Sequence, residues 1–113
     1  MLWWLFFSIH LNLFPPFILF MNNRVTPERL AKYFDYTRRA LEKAKKAIDK
    51  KREKVALDFL DMAQRYYDDA HHFQKKGDVV TAFAALNYAH GWLDAGARIR
   101  LFDVHDSELF TVD

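Results

Sequence analysis

The sequence contains no cysteine and few residues that interrupt a helix. The absence of cysteine excludes disulfide frameworks, thiolate zinc sites and cysteine nucleophiles. The 113 residues include only three glycines and three prolines, and a single proline follows residue 20. No segment alternates apolar and polar side chains between turn residues, as a half-buried strand does. We therefore expect an all-α protein.

Charge is missing from the beginning of the sequence. Residues 1–20 contain no Asp, Glu, Lys or Arg, and 15 of the 20 are apolar. Pro15 and Pro16 would break a helix that crossed a membrane here, and no basic residue marks a signal peptide. We expect translation to begin at Met21, so that residues 1–20 are an over-called extension. A membrane anchor and a structured arm are the alternatives, and only a translated anchor would make the membrane a partner.

The rest of the sequence predicts a helical bundle over residues 21–104 and an acidic tail over residues 105–113. The first helix begins with Thr26 as N-cap and Pro27 at the first helical position. Its apolar stripe runs to Ile48 in alternating steps of three and four residues. Because one unbroken helix would require a dimer to cover its stripe, a monomer needs a break between Asp49 and Lys54.

The next two helices are predicted to form an antiparallel hairpin, which completes a three-helix bundle. They span about residues 55–76 and 79–100, and Gly77 and Asp78 supply a left-handed cap and an N-cap between them. The third helix is apolar on most of its circumference, which is typical of a central helix. On the second helix, the residues expected to face inward are Phe59, Met62, Ala63, Tyr66, Ala70 and Phe73. In the chain after the third helix, the apolar residues that could fold back onto the bundle are Phe102, Val104, Leu109 and Phe110.

The spacing of small and aromatic residues in the hairpin resembles two known patterns. A single tetratricopeptide-like hairpin is suggested by Tyr66, Ala70, Phe73, Gly77, Ala82, Leu86 and Ala89. A closer resemblance covers residues 24–104 and includes the string Tyr88-Ala89-His90-Gly91-Trp92-Leu93-Asp94-Ala95. This string is similar to an archaeal family of small helical proteins, domain-of-unknown-function family 357. The resemblance implies a cytoplasmic helical bundle and transfers no catalytic residue.

Basic residues are concentrated in the first helix. Residues 21–54 contain 12 basic and 5 acidic side chains, a net charge of +7, whereas residues 55–113 have a net charge of −5. Five basic residues are predicted to form one stripe, which is a candidate phosphate-binding face. A solvated surface, or pairing of the first helix with the acidic second helix, is the alternative. The stripe consists of Arg39, Lys43, Lys46, Lys50 and Lys54.

Two further groups of side chains are candidates for a site. An aromatic and polar cluster could line a groove for a partner, because Tyr and Trp dominate interface hot spots; alternatively, its rings are packing residues with one hydrogen-bond partner each. This cluster consists of Tyr66, Tyr67, Asn87, Tyr88, Trp92 and Asp94. Weak metal candidates are the pairs Asp68 with His72 and His90 with Asp94, but two ligands are fewer than zinc takes. We predict neither a metal nor any other cofactor.

These features favour a protein-interaction or scaffold module over an enzyme. Ser8 and Ser107 are the only serines and lie outside the predicted helices, and no phosphate-binding loop is present. The partner is expected to be a protein, with a homodimer as one form. The alternative is a nucleic-acid- or nucleotide-associated accessory protein that uses the basic face of the first helix.

Overall fold

Residues 23–112, which a computed structural model describes, fold into three α-helices. Helix α1 spans Pro27–Lys45, α2 spans Glu53–Lys75 and α3 spans Val79–Arg98, with a short 3-10 helix over Lys50–Arg52 before α2. Within this part of the chain, no helix is both long enough and apolar enough to cross a bilayer. Residues 1–20 lie outside the described residues. The predictions made for them, namely a start at Met21, a membrane anchor or a structured arm, therefore lie outside the described residues as well.

Helix α1 begins as its sequence predicts. The Thr26 side chain accepts a hydrogen bond of 3.1 Å from the backbone N–H of Arg29, and Pro27 is the first helical residue. Thr26 therefore satisfies one of the backbone donors that the first helical turn leaves without a partner. The buried face of α1 consists of Leu30, Phe34, Thr37, Ala40, Leu41 and Ala44.

The break between the first two helices exists, but it comes earlier than predicted. Helix α1 ends at Lys45, and Ile48 forms an isolated antiparallel bridge with Phe102 instead of continuing the helical stripe. The backbone N–H of Asp49 donates to the carbonyl of Leu101, and that of Asp103 donates to the carbonyl of Ala47, both at 2.8 Å. These bonds to the chain after α3 replace helical bonds, so a distant segment ends the helix.

The α2–α3 hairpin is confirmed. Gly77 has a φ of +80°, in the left-handed region that glycine enters without steric cost. The Asp78 side chain then accepts a hydrogen bond from the backbone N–H of Thr81 at 3.3 Å and caps α3. A connection this short forces the two helices to run antiparallel, and they make the most extensive contact in the bundle.

Helix α3 is the central helix, as its apolar circumference predicts. It contacts both α1 and α2, and it contacts each of them more extensively than they contact one another. Small residues at Ala82, Ala89 and Gly96 are buried and allow the neighbouring helices to approach. Leu86 and Leu93 fill the space between them and are fully buried.

The predicted inward face of α2 is partly wrong. Ala63 and Ala70 are buried, but Phe59, Tyr66 and Phe73 are only half-buried. The most buried side chains of α2 are Ala56, Leu60, Ala63 and Ala70. Because α2 packs against α1 as well as α3, its buried face is turned toward both neighbours. The larger aromatic rings therefore lie along the outer margin of the hairpin.

The chain after α3 folds back and completes the core. Phe102, Val104, Leu109 and Phe110 are buried, as their apolar character suggests. They pack with the second half of α1, the first half of α2 and the second half of α3 in the larger of two core clusters. The smaller cluster joins the other ends of the helices around Leu30, Phe34, Ala70, Ala82 and Leu86.

Gly96 is required by this folding back. A Cβ atom on residue 96 would lie 2.2 Å from a carbon of the Phe102 ring. The ring is only 1% exposed and packs within the larger core cluster, so moving it away from residue 96 would disturb that packing. At Gly91, which lies five residues earlier in α3, no neighbouring atom of residues 23–112 comes within 4 Å of an added Cβ. Within the described residues, the close packing of a neighbouring ring therefore requires glycine at position 96 but not at position 91.

Helix α3 ends without the glycine that usually stands at this position. The backbone N–H of Leu101 donates to the carbonyl of Gly96, and that of Arg100 to the carbonyl of Ala97, which is the hydrogen-bond pattern of a Schellman cap. Arg100 has a φ of +63°, so a residue with a Cβ occupies the left-handed region. This conformation is strained for an arginine.

Alanine at position 96 should destabilise the protein. We expect Gly96→Ala to lower the free energy of unfolding by about 1–3 kcal/mol, because the added methyl group overpacks against Phe102. Gly91→Ala is the matched control. It should raise the free energy of unfolding by up to about 1 kcal/mol, because alanine favours the helix. Urea unfolding of dilute protein measures both. Equal stability of the two variants would contradict the assigned role of Gly96.

Glycine at position 100 should stabilise the fold. Arg100→Gly relieves the left-handed strain, and we expect a gain of about 0.5–1 kcal/mol after the extra flexibility of the unfolded chain is deducted. Arg98→Gly, at the last helical residue, should instead cost about 1 kcal/mol. If urea unfolding shows the same loss for both variants, the strain at Arg100 is not significant.

Candidate functional site

The predicted aromatic cluster is divided between two sides of the hairpin. Tyr66 and Tyr88 lie together on its outer side, with ring centroids 4.4 Å apart. Tyr88 is 55% exposed although it is a large aromatic residue in the middle of the central helix. The pair borders a shallow depression of about 280 Å³, whose other walls include Phe73, Ala84 and Ala85.

Trp92 and Asn87 lie on the same outer side. The Trp92 ring is half-buried and meets the Phe59 ring edge to face, with centroids 5.1 Å apart. A second depression, of about 340 Å³, lies beyond Tyr88 and is lined by Asn87, Tyr88, Gly91, Trp92 and Ala95. Four of the six predicted residues thus share one surface, and none of the four is charged.

Tyr67 lies away from this surface. Its ring faces α1, where the Phe34 ring meets it edge to face at 5.9 Å. Burial raises the pKa of the Tyr67 phenol. Tyr67 is therefore a packing residue between helices, in line with the alternative interpretation of the cluster.

Asp94 also lies away from the surface of Tyr66, Asn87, Tyr88 and Trp92, because its side chain binds the chain after α3. Its carboxylate accepts hydrogen bonds from the backbone N–H of Thr111 at 2.9 Å and from the Thr111 hydroxyl at 3.3 Å. These two bonds fix the last part of the described chain to α3. The carboxylate is thus occupied by a structural contact.

His90 connects three parts of the fold. Its Nε2–H donates to the carbonyl of Leu109, and its Nδ1 lies 3.3 Å from the hydroxyl of the buried Thr37. With the proton on Nε2, as a carbonyl partner requires, Nδ1 accepts from Thr37. Both ring nitrogens are then occupied by partners within the fold, and neither is available to a metal.

The four weak metal candidates do not form a site. Asp68 accepts a hydrogen bond from Gln64 at 2.9 Å, and His72 is exposed on the outside of α2. His90 Nε2 lies 3.9 Å from a carboxylate oxygen of Asp94, but both groups already have the partners given above. Over residues 23–112, no three His, Cys, Asp or Glu side chains are grouped so that they could hold a metal ion.

The predicted basic stripe is not continuous, because α1 ends at Lys45. Only Arg39 and Lys43 belong to α1; Lys46 is its C-cap, Lys50 begins the 3-10 helix and Lys54 lies in the first turn of α2. The two α1 residues are also paired. Lys43 forms an ion pair with Asp106, and Arg39 lies 3.5 Å from Glu108 and 3.6 Å from Asp35.

The acidic tail therefore covers part of the basic face of α1. The hydrogen bond from Lys43 is the main cause that holds the pKa of Asp106 below its usual range, and the backbone N–H of Glu108 adds to it. Similarly, Arg38 lowers the pKa of Asp35 on α1 itself. Pairing of α1 with an acidic segment was one of the expected alternatives, but the segment is the tail rather than α2.

A polar cleft at the end of the bundle was not predicted. It has a volume of about 620 Å³ and lies between the α1–α2 connection and the chain after α3. Lys50, Arg98 and Arg100 are among its lining residues. One signal in the sequence could have indicated it, the run Arg98-Ile99-Arg100, which ends a helix without glycine. Only the fold brings this run next to Lys50.

The family of the chain follows from a comparison with known proteins. The model of a family described as protein of unknown function (DUF357) matches residues 32–102. This match covers most of the chain, including α2, α3 and the bridge to Phe102, so the chain belongs to that family. No curated protein and no solved structure gave a significant match.

Acid should weaken the contact between the tail and α1. Because its folded-state pKa is lowered, Asp106 binds a proton less readily in the folded protein than in the unfolded chain. Its contribution to stability is complete above about pH 5 and is lost below about pH 4, as the pH falls toward the lowered pKa. We therefore expect a smaller loss of thermal stability between pH 7 and pH 3 in Asp106→Asn than in the wild type.

The control for this prediction is an acidic residue without an ion-pair partner. Asp58 is exposed on α2 and has no ion pair within residues 23–112. Asp58→Asn should leave the acid-induced loss of thermal stability unchanged. Identical pH profiles for the wild type and Asp106→Asn would show that the ion pair with Lys43 does not contribute.

Proposed function

We propose that this DUF357 protein is an interaction module that pairs with a second copy of itself through the outer face of α3. The α3 outer face consists of Thr81, Ala84, Tyr88, Gly91 and Ala95. These residues follow one another in steps of three, four, three and four, which is the spacing of a seam between paired helices. The finding that carries the proposal is that Gly91, within this seam, has open space around it.

An exposed glycine in the middle of a helix needs a reason. Glycine costs about 1 kcal/mol relative to alanine at such a position. Gly96 leaves space for the Phe102 ring, whereas in the described part of the chain no neighbouring atom within 4 Å of an added Cβ requires glycine at position 91. Close approach of another backbone is a physical use for a glycine here. Ala84 and Ala95, which are exposed on the same face, permit the same approach.

The shape and charge of this face suit a second copy in particular. Tyr88 projects between the two depressions of about 280 and 340 Å³, so a knob and its holes lie on the same surface. A two-fold axis places identical surfaces against each other, which is unfavourable for a charged face. Among residues 23–112, Asp69 is the one charged residue that lines either depression, and it lies at the margin.

We propose no catalytic role for this module. The sequence offers no cysteine, and Ser107 lies in the tail rather than among the helices. The alternative function, nucleic-acid association through the basic face of α1, has less support because Arg39 and Lys43 are paired with the tail. The cytoplasmic location and archaeal origin expected from the resemblance remain predictions.

A larger side chain at position 91 should separate the dimer. We expect the wild-type protein to show twice the monomer mass in light scattering, and Gly91→Gln to weaken self-association at least about tenfold. The monomer has room for this side chain, so circular dichroism should show unchanged helix content. The matched control is Leu57→Gln, at a 49% exposed position on α2, which should leave the dimer intact.

Two results would contradict the proposal. One is a wild-type protein that stays monomeric up to about 100 μM, where a complex with a Kd of about 1 μM would be largely formed. The other is a dimer that tolerates Gly91→Gln as well as it tolerates Leu57→Gln. The second result would place the interface on another surface.

A further inference from the structure

Positive charge is concentrated at the end of the bundle where α1 and α3 finish and α2 begins. The backbone bonds between Asp49 and Leu101 and between Asp103 and Ala47 bring these segments together. Residues 45–54 and 98–105 contain eight Lys and Arg side chains but only three acidic ones. The basic residues are Lys45, Lys46, Lys50, Lys51, Arg52, Lys54, Arg98 and Arg100.

Three of these cations line the cleft of about 620 Å³. Lys50 comes from the connection between α1 and α2, whereas Arg98 and Arg100 come from the end of α3. The volume lies within the range of small-molecule sites. Ile48 and Val104 form part of the wall, and the Phe102 ring beneath is 1% exposed. The cleft therefore presents charged groups rather than an aromatic surface for stacking.

The cations of the cleft are available to a ligand. Within residues 23–112, neither the Arg98 nor the Arg100 side chain has an ion-pair or hydrogen-bond partner. Lys50 has one distant partner, Glu53, at 3.9 Å. By contrast, Arg52 is fully committed, because it bonds Asp49 and the carbonyls of Ile99 and Arg100.

The two carboxylates that border the cleft already have hydrogen-bond partners. Asp49 accepts hydrogen bonds from Arg52 at 2.9 Å and from the backbone N–H of Lys51 at 3.1 Å. Asp103 lies 2.8 Å from the ring of His105. Among residues 23–112, an anion entering the cleft would thus meet two arginines without partners, one lysine with a distant partner, and two carboxylates that have partners of their own.

The conformation of Arg100 gives an independent indication. Its φ of +63° would be free of strain for glycine, the usual residue at the end of such a helix. An arginine in this position keeps the strain, and Arg100 is one of the residues that line the cleft. Strained backbone is found preferentially at functional sites, where the side chain is needed.

We propose that this cleft binds a small ligand with two or more phosphate groups. Guanidinium groups bind phosphate oxygens through paired hydrogen bonds, and an ammonium group adds a further charge. Three cations converge on one concavity instead of following a line, which fits a compact polyanion rather than a nucleic-acid strand. None of the five residues of the α3 outer face lines the cleft, so this inference does not rest on self-association.

Inorganic pyrophosphate is the probe that tests the site. In isothermal titration calorimetry at about 50 mM salt, where exposed charges are not fully screened, we expect saturable binding of one pyrophosphate per chain. The double variant Arg98→Gln/Arg100→Gly should bind at least about tenfold more weakly. Arg100→Gly alone should bind more weakly although its unfolding midpoint is raised, which separates loss of the site from loss of the fold.

The matched control is a lysine at the opposite end of α2. Lys75→Gln removes one exposed charge far from the cleft and should change the affinity by less than about twofold. The proposal is overturned if Lys75→Gln weakens binding as much as Arg100→Gly does, because the attraction is then a property of net charge. It is also overturned if pyrophosphate does not bind, or if a single-stranded RNA 12-mer binds more tightly than pyrophosphate and the double variant loses that RNA binding.

Discussion

The contact between the Phe102 ring and Gly96 determines the arrangement of one whole end of the bundle. The ring occupies the space that a side chain on residue 96 would fill, so the chain after α3 can lie directly against the helix. From this position Phe102 pairs with Ile48, and the neighbouring backbone groups bond the connection that follows α1. The end of α1, the turn into α2 and the cleft beside Arg100 are all consequences of this approach.

The charge asymmetry of the sequence is only partly neutralised within the fold. Asp106 and Glu108 bring negative charge from the tail to Lys43 and Arg39 of α1. These side chains are exposed, and such pairs contribute little stability individually. Burial of Leu109 and Phe110 is the stronger attachment, since each removes a large apolar side chain from water. The ion pairs set the register in which the tail lies, and the uncompensated basic charge is left at the end of the bundle.

Local signals in the sequence predict the helices and the hairpin well, whereas contacts between distant segments could not be predicted from the sequence. Thr26, Gly77 and Asp78 act on backbone groups within a few residues, so the start of α1 and the hairpin could be predicted from composition and spacing. The end of α1 could not be predicted, because its cause is bonding to Leu101 and Asp103, over fifty residues away. For the same reason the prediction of a continuous basic stripe was wrong. Asn87, Tyr88 and Trp92 did share a surface because α3 is regular along that stretch, and Tyr66 joins them because α2 runs antiparallel beside α3.

The position of Tyr67 has a consequence for how the protein opens and closes. The core consists of two clusters, and among residues 23–112 Tyr67 is the side chain that packs against both. If the two core clusters shared no side chain, each end of the bundle would open separately, and its amide hydrogens would exchange independently of those at the other end. The shared ring links these steps, because neither half can loosen without exposing it. A half-buried side chain near the middle of α2 is therefore one of the links that couple the two ends of the molecule.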